Sequence, residues 1–363
     1  MHCIKALIIS LLLIVVPVQI ISGNTHAKSP EKADSTARHF EPGKLIFHHI
    51  GDAYEWHIAT FDEFHLSIPL PVILYSETSG FQAFMSTEFH HGTAGYKSFH
   101  ISHEGKYEGK IVETLPDGTE VRPWDISITK NTLSLFISIV LILSIFISIG
   151  KKYSADSNRA PKGLQSFAEP IILFIRDDVA KSAIGDKNYQ KYLPYLLTAF
   201  FFIFLNNLLG LVPVFPGGAN LTGNIAVTMV LALFTFFITS YNASKSYWMH
   251  IVNMPGVPWW LKFPIPLMPI VEGMGVIIKP FVLMVRLFAN ISAGHIIALG
   301  FYCLIFIFGE MNVYAGYGVS VMSVLFTVFM SLIELLVSFL QAYVFTLLSA
   351  LYIGMAIENH DEH

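Results

Sequence analysis

The chain has 363 residues, of which 53% are hydrophobic and only 13% are charged, whereas soluble domains carry about 25% charged residues. A formal net charge of −4 gives no basic surface for nucleic acid, and two cysteines, Cys3 and Cys303, argue against a disulfide framework or a cysteine metal site. Because the apolar residues are concentrated in several long runs, the composition indicates a polytopic membrane protein.

The first segment has the pattern of a secretory signal peptide, which we assign to residues 1–27. Lys5 precedes the apolar run ALIISLLLIVVPVQII, and the small residues Ser22, Gly23 and Ala27 follow as a cleavage region. An uncleaved anchor helix is the alternative interpretation.

Residues 28–128 are expected to form a small exported region of mostly β or irregular structure. The runs FHLSIPLPVILYSETSG and KIVETLPDGTEVRPWDISI resemble strands, and the second contains a Pro-Asp-Gly turn. Ten of the 15 histidines lie between His26 and His103. The segments FHH and FHHGTAGYKSFHISH suggest metal binding, but no pair has a spacing tied to a particular metal, so solvated or hydrogen-bonded histidines are favoured. We predict neither a metal nor a cofactor.

A membrane channel domain is predicted over residues 129–363, beginning with a span at about 132–149. Eight Lys or Arg residues lie between Lys151 and Lys191, which places that stretch in the cytoplasm and residues 28–128 outside. Within it, GLQSFAEPIILFIRDDVAKSAIG is amphipathic but too charged to span, and we expect it to lie on the membrane surface.

Two further spans and two longer stretches complete the predicted domain. YLPYLLTAFFFIFLNNLLGLVPVF runs outward, and NIAVTMVLALFTFFITSY returns inward. The last stretches, about 264–308 and 317–357, exceed the roughly 20 residues that cross a bilayer, so we expect strongly tilted helices. The predicted fold class is an all-α polytopic membrane protein with about five membrane helices, its N-terminus outside and its C-terminus in the cytoplasm.

Charged residues on the first long stretch recur at helical spacing. Glu272, Lys279 and Arg286 are seven residues apart, nearly two full turns, and therefore share a face, with Asn290 one turn further. A position near the inner interface is one alternative for Glu272, and snorkelling is one for Lys279. Arg286 lies too deep to snorkel easily, and a charge there costs roughly 2.5–3.5 kcal/mol on insertion scales.

A polar stripe on the second long stretch runs through Glu334 at helical spacing. Its members are Ser320, Ser323, Thr327, Ser331, Glu334, Ser338 and Gln341. Each hydroxyl alone is weak evidence, because serine and threonine in membrane helices often bond the i−4 carbonyl or a neighbouring helix. A buried Arg286–Glu334 pair is one explanation of the charges, but it leaves the length of the stripe unexplained.

An aqueous path that crosses to a fixed positive charge explains both features. Arg286 does not deprotonate, so it can hold a mobile carboxylate in its charged form and stop protons from leaking past. His295 and Glu334 can titrate and relay protons. No acid in this chain is an obvious mobile carrier, which predicts two half-channels separated by a non-titrating gate, with the carrier on a partner.

Four segments resemble subunit a of the F-type ATP synthase, the stator half of the proton motor. They are PKGLQSFAEPII, LNNLLGLVP (205–213), PFVLMVRLFANISAGHII (280–297) and LIELLVSFLQAYVFTLLSALYI (332–353). The resemblance runs from about Trp124 to the C-terminus. It implies a bacterial inner membrane location and the partners of such a subunit: the c-subunit ring, the peripheral-stalk b subunits and the other synthase subunits.

The resemblance also implies roles for single residues. Arg286 would face the c-ring, and Glu272 would lie in the inside half-channel. Asn290, His295, Glu334 and Gln341 would line or organise the outside half-channel, and Ser331 and Ser338 are assigned to the proton path with them. In most bacterial members glutamate stands at the position of His295 and histidine at that of Glu334; the exchange seen here resembles mitochondrial members.

Two other function classes compete with this interpretation. A stand-alone proton or cation transporter is the first, although the chain has no internal repeat. A membrane anchor with an exported binding module is the second, and it would leave the polar stripe without function. The chain has no G-x-x-x-x-G-K-[ST] loop, so it is not expected to bind or hydrolyse ATP itself. The role of residues 28–128 is open; they could shape the outside entrance or contact another stator protein.

Overall fold

The computed structural model describes residues 50–358, with gaps at 62–63, 93, 103–104, 156–160, 213–214 and 254–266, and also residues 42, 43 and 46. The predicted signal peptide, the acidic tail at 359–363 and His48, His49 and His103 of the histidine motifs lie outside the described residues. The chain divides into two compact units. The β unit comprises Phe47–Ile137 and Val212–Ala219, and the helical unit contains Ser138–Leu211 and the chain from Asn220 onward.

The described part of the β unit contains the strands that the sequence predicts, as eight short strands in three antiparallel sheets. The strands are β1 (Glu55–Phe61), β2 (Phe64–Pro69), β3 (Pro71–Ser76), β4 (Gly80–Met85), β5 (Phe99–Ile101), β6 (Ile111–Thr114), β7 (Glu120–Val121) and β8 (Trp124–Asp125). The sheet orders are β1-β2, β4-β3-β8 and β5-β6-β7. The Pro-Asp-Gly turn joins β6 to β7, with Gly118 at φ 81° in the left-handed region that glycine favours.

Alternating side chains of β3 build the core of this unit. Val72 and Leu74 are buried and pack in one cluster with Phe89 and Phe99. Glu113 is buried beside this cluster, where hydroxyl groups surround its carboxylate. The donors are Ser76, Thr78, Ser79 and Ser98. Burial alone raises the pKa of Glu113, but these hydrogen bonds outweigh it and hold the pKa below its usual value.

Seven helices longer than a single turn follow in the described chain. They are α1 (Lys130–Ala155), α2 (Leu164–Phe174), α3 (Tyr189–Leu211), α4 (Ile225–Asn242), α5 (Lys245–Val252), α6 (Leu267–Met311) and α7 (Val313–Ile357). Five of them, α1, α3, α4, α6 and α7, are long and apolar enough to cross a membrane, which confirms the predicted number of spans.

The amphipathic segment forms α2 and continues without a break. It passes through a π-helical stretch, Ile175–Lys181, into a last turn, Ser182–Ile184. Ile175 and Val179 are fully buried. The last turn lies so close to α7 that a Cβ on Gly354 would come within 2.0 Å of the Ala183 carbonyl oxygen. One side of this segment therefore packs on the protein itself.

The last two helices form a tight hairpin. Each has 45 residues, about 67 Å at 1.5 Å per residue, which is more than twice the roughly 30 Å of bilayer hydrocarbon. Only Asn312 separates them, and its side chain caps α7 by accepting a hydrogen bond of 2.9 Å from the Tyr314 N–H. At the closed end, Gly316 lies against the backbone of Gly309. Helix α7 also packs on α3, with Phe339 between Phe200 and Phe204.

Candidate proton-translocation site

The hairpin brings His295 of α6 and Glu334 of α7 together. The Nδ1 atom of His295 lies 4.0 Å from Oε1 of Glu334, and the two side chains are only 21% and 12% exposed. The same oxygen of Glu334 is buried and has no hydrogen-bond partner among the described residues. A buried carboxyl oxygen without a hydrogen bond is an acceptor that is available for a water molecule or a proton.

A glycine makes this close approach possible. A Cβ placed on Gly294 would lie 2.6 Å from Oε1 of Glu334 and 3.1 Å from its Cγ. Real Cβ atoms do not approach other heavy atoms so closely, so any larger residue at position 294 would displace the carboxylate. No pattern in the sequence singles out Gly294, because a contact between two helices cannot be predicted from the residues of one helix.

The pair lines a small cavity of about 10 Å³ in the helical unit, roughly the space that one water molecule needs. It is lined by Asn207, Leu211, Asn290, Ile291, His295, Glu334, Val337 and Ser338. Three more of the predicted site residues lie at or near this cavity. Asn290 and Ser338 line it, and Gln341 is buried one turn beyond Ser338.

Asn207 is a polar wall of this cavity that the sequence analysis missed. Its Nδ2 donates to the carbonyl of Ser338 at 3.2 Å, and its Oδ1 accepts from the Thr222 hydroxyl at 2.6 Å. These bonds tie α3 and the loop before α4 to α7 at the level of the site. Two adjacent asparagines in an otherwise apolar helix, Asn206 and Asn207, were the available signal.

Arg286 lies one turn before Asn290 on α6, and both side chains are exposed. No carboxylate among the described residues forms an ion pair with Arg286, so the Arg286–Glu334 pair considered above does not form. Its guanidinium interacts electrostatically with the hydroxyl of Tyr352 on α7. The Lys279 ammonium lies 5.5 Å from the centroid of the same ring.

The polar stripe of α7 divides into buried and exposed members. Ser323, Thr327, Ser338 and Gln341 are buried, whereas Ser331 is exposed. The hydroxyls of Thr327, Ser331 and Ser338 donate to the carbonyl four residues earlier in the same helix, at 2.9, 3.0 and 2.8 Å. Their hydrogen bonds are thus the ordinary ones of membrane helices, and the oxygens keep lone pairs for water.

Glu272 lies far from this group, about two turns before Lys279. It is half-buried and close to Tyr247 of α5, whose pKa is raised by burial and by the charge of Glu272. The structure therefore separates the predicted residues into a cluster around His295 and Glu334, a single carboxylate at Glu272, and Arg286 between the two.

Two family profiles match the chain. The profile described as ATP synthase A chain matches residues 132–354. A second, described only as a domain of unknown function, matches residues 45–127.

Curated relatives give the same family. The chain is 41% identical over 266 residues to ATP synthase subunit a of Chloroherpeton thalassium, covering 71% of this chain and 75% of the relative. It is 46% identical to ATP synthase subunit a 2 of Chlorobaculum tepidum, with 67% of each chain covered. It is 44% identical to ATP synthase subunit a of Pelodictyon phaeoclathratiforme, covering 69% of this chain and 72% of the relative.

Proposed function

The chain belongs to the ATP synthase A chain family, and on this premise we propose that it is the proton-conducting stator subunit of a rotary ATP synthase membrane sector. In this proposal it is a multi-pass protein of the bacterial inner membrane, with its N-terminus outside and its C-terminus in the cytoplasm. Its partners are the c-subunit ring, the peripheral-stalk b subunits and the other synthase subunits. Helices α6 and α7, each about 67 Å long, fit a 30 Å hydrocarbon layer by tilting strongly along the ring.

Protons enter through an outside half-channel built around the cavity. Asn207, Asn290 and Ser338 offer hydrogen-bonding groups to water there, and His295 and Glu334 pass the proton on. Both of these side chains can change protonation, and 4.0 Å between Nδ1 and Oε1 leaves a short gap that a small movement closes. Ser331 and Gln341 extend the polar wall in both directions along α7.

Arg286 keeps the two half-channels apart. A guanidinium exposed on an apolar helix, with no carboxylate partner among the described residues, is costly in a bilayer, and a carboxylate of another subunit would offset that cost. A carboxylate on the c-ring would be held ionised while it passes Arg286, and would be protonated again from the outside path. It would release its proton to the inside half-channel near Glu272. The observation that carries this proposal is the exposed Arg286, which has no carboxylate partner in the described part of the chain and lies one turn from the cavity that holds His295 and Glu334.

Exchanging the relay residues tests the outside half-channel. We expect His295→Glu alone to reduce ATP-driven proton pumping by about tenfold or more, because positioned proton transfer contributes roughly 10²–10⁴ to a rate and two carboxylates at this distance repel. Adding Glu334→His restores one base and one acid, and should recover much of the pumping. Vesicles carrying each variant, with assembly checked by copurification of the ring, provide the measurement. Equal defects in the single and the double variant would contradict the relay.

A further inference from the structure

The sheet β4-β3-β8 of the β unit has two apolar faces, although only one of them lies on the core. Antiparallel sheets with one face on the core usually alternate apolar and polar side chains. Here the residues that turn away from the core are also apolar. We call the exposed ones the apolar face: Tyr75, Phe81, Ala83, Met85, Trp124 and Ile126.

Strand register places these side chains side by side. Tyr75 of β3 is directly opposite Phe81 of β4 and also opposite Trp124 of β8, so three aromatic rings form one row across the sheet. The next row contains Ala83 and Ile126 around Ile73, whose carbonyl accepts the Ile126 N–H at 2.9 Å. Phe81 and Trp124 are 65% and 73% exposed, and no member of the face is charged.

The other three-stranded sheet of the same unit carries polar residues on one side. His100, Thr114 and Glu120 form a network there: the His100 ring nitrogens lie 3.2 Å from Glu120 Oε1 and 3.3 Å from the Thr114 hydroxyl. The apolar face thus differs from the polar side of β5-β6-β7, and contiguous apolar surface of this kind marks an interaction site.

The chain path limits what can cover this face. Ile126 is only four residues before Lys130, where the candidate membrane span α1 begins, so at most about 14 Å of chain separates them. This connection is also held by backbone hydrogen bonds, from Ile128 to Pro71 and from Lys130 to Ala53. The face is thus tethered beside the bilayer surface, and it cannot move away while α1 spans the membrane.

We propose that the apolar face lies on the bilayer itself, at the boundary between lipid headgroups and acyl chains on the side where α1 enters. Tryptophan and tyrosine are the residues enriched at this boundary, and an apolar surface held next to it is buried there without a further partner. Because the face has no basic residue, its docking is driven by apolar contact and not by anionic lipid. The proposal requires only that α1 crosses the membrane, and it stands whether or not the proton path is assigned correctly.

A spin label at Phe81 tests the proposal in the full chain, reconstituted into phosphatidylcholine vesicles. Cys303 and Cys3 are first replaced by serine, and Phe81→Cys is then labelled; the position is exposed, so no core contact is lost. Glu108→Cys, exposed on a turn of the same unit, is the matched control. Collisions with oxygen, which is concentrated in lipid, are compared with those of a nickel chelate in water.

The label at position 81 is expected to collide more with oxygen than with the chelate, and the label at position 108 the reverse. Adding phosphatidylglycerol should leave the position 81 result unchanged. In a second arm, Phe81→Glu should move a label at Ile126→Cys from lipid into water. The proposal is overturned if the label at position 81 behaves like that at position 108, or if both collision agents are excluded from it, which would mean that a protein surface covers the face.

Discussion

Gly294 shows how a residue without a side chain supports the charged ones around it. Its missing Cβ leaves room for the Glu334 carboxylate, which lies within 2.6 Å of where that atom would be. Asn207, on α3, supports the same cavity from a third helix. Its two hydrogen bonds hold the backbone of Ser338 and the Thr222 hydroxyl in place. The geometry of the titratable pair therefore depends on two residues that do not titrate.

Gly294→Ala is expected to move the Glu334 carboxylate away from His295 and to lower proton pumping several-fold. The reason is steric, since forcing a methyl group into a filled contact costs about 1–3 kcal/mol or displaces the neighbour. Gly300→Ala, in the same helix with open space around its Cβ, is the control and should leave pumping normal. Pumping rates of the two variants in inverted vesicles decide the matter, and equal rates would contradict the steric account.

At the scale of elements, the α6–α7 hairpin sets the register that brings His295 to Glu334. Asn312 caps α7, and the Gly309–Gly316 contact allows the two backbones to approach just after the turn. A shift of one residue at this end would rotate the facing side chains by about 100° relative to each other. The closed end of the hairpin thus controls a site some five turns away.

Gly316→Ala should therefore destabilise the hairpin, because its Cβ would lie 2.9 Å from the Gly309 Cα, a backbone atom that cannot turn aside. We expect a loss of about 1–3 kcal/mol, visible as a lower midpoint of thermal unfolding in detergent. Gly318→Ala has open space and should be neutral or slightly stabilising, since alanine favours a helix by about 1 kcal/mol over glycine. A lower midpoint for Gly318→Ala alone would refute this view of the turn.

The helices and strands could be predicted from the sequence, but the contacts between them could not. Apolar runs of the right length predict all five candidate spans, and the helical spacing of Glu272, Lys279 and Arg286 places them on one face. The contact of Gly294 with Glu334 depends on how two helices are rotated against each other, which no single helix encodes. In the same way, strand runs predict the β unit, but the row Phe81–Tyr75–Trp124 depends on a pairing of β3 with β8 across most of the unit.

At the scale of the whole molecule, we assign different roles to the helical unit and the β unit. In the proposal, the helical unit presents Arg286 to a partner subunit and also holds the pair His295–Glu334, and the β unit offers a separate apolar face next to the start of α1. The family profile covers the helices, and the second profile covers the β unit. This division fits a stator subunit whose conducting part must stay fixed in the membrane while a partner moves past it.

The most direct test of the central claim is ATP-driven proton pumping by inverted vesicles that carry Arg286→Ala, with assembly of the complex verified. Arg286 is proposed as the only fixed charge that separates the half-channels, so pumping is predicted to fall to background while the complex still assembles. Lys279→Ala, two turns away on the same face, is the control and should keep most of the activity. Normal pumping by an assembled Arg286→Ala complex would contradict the account.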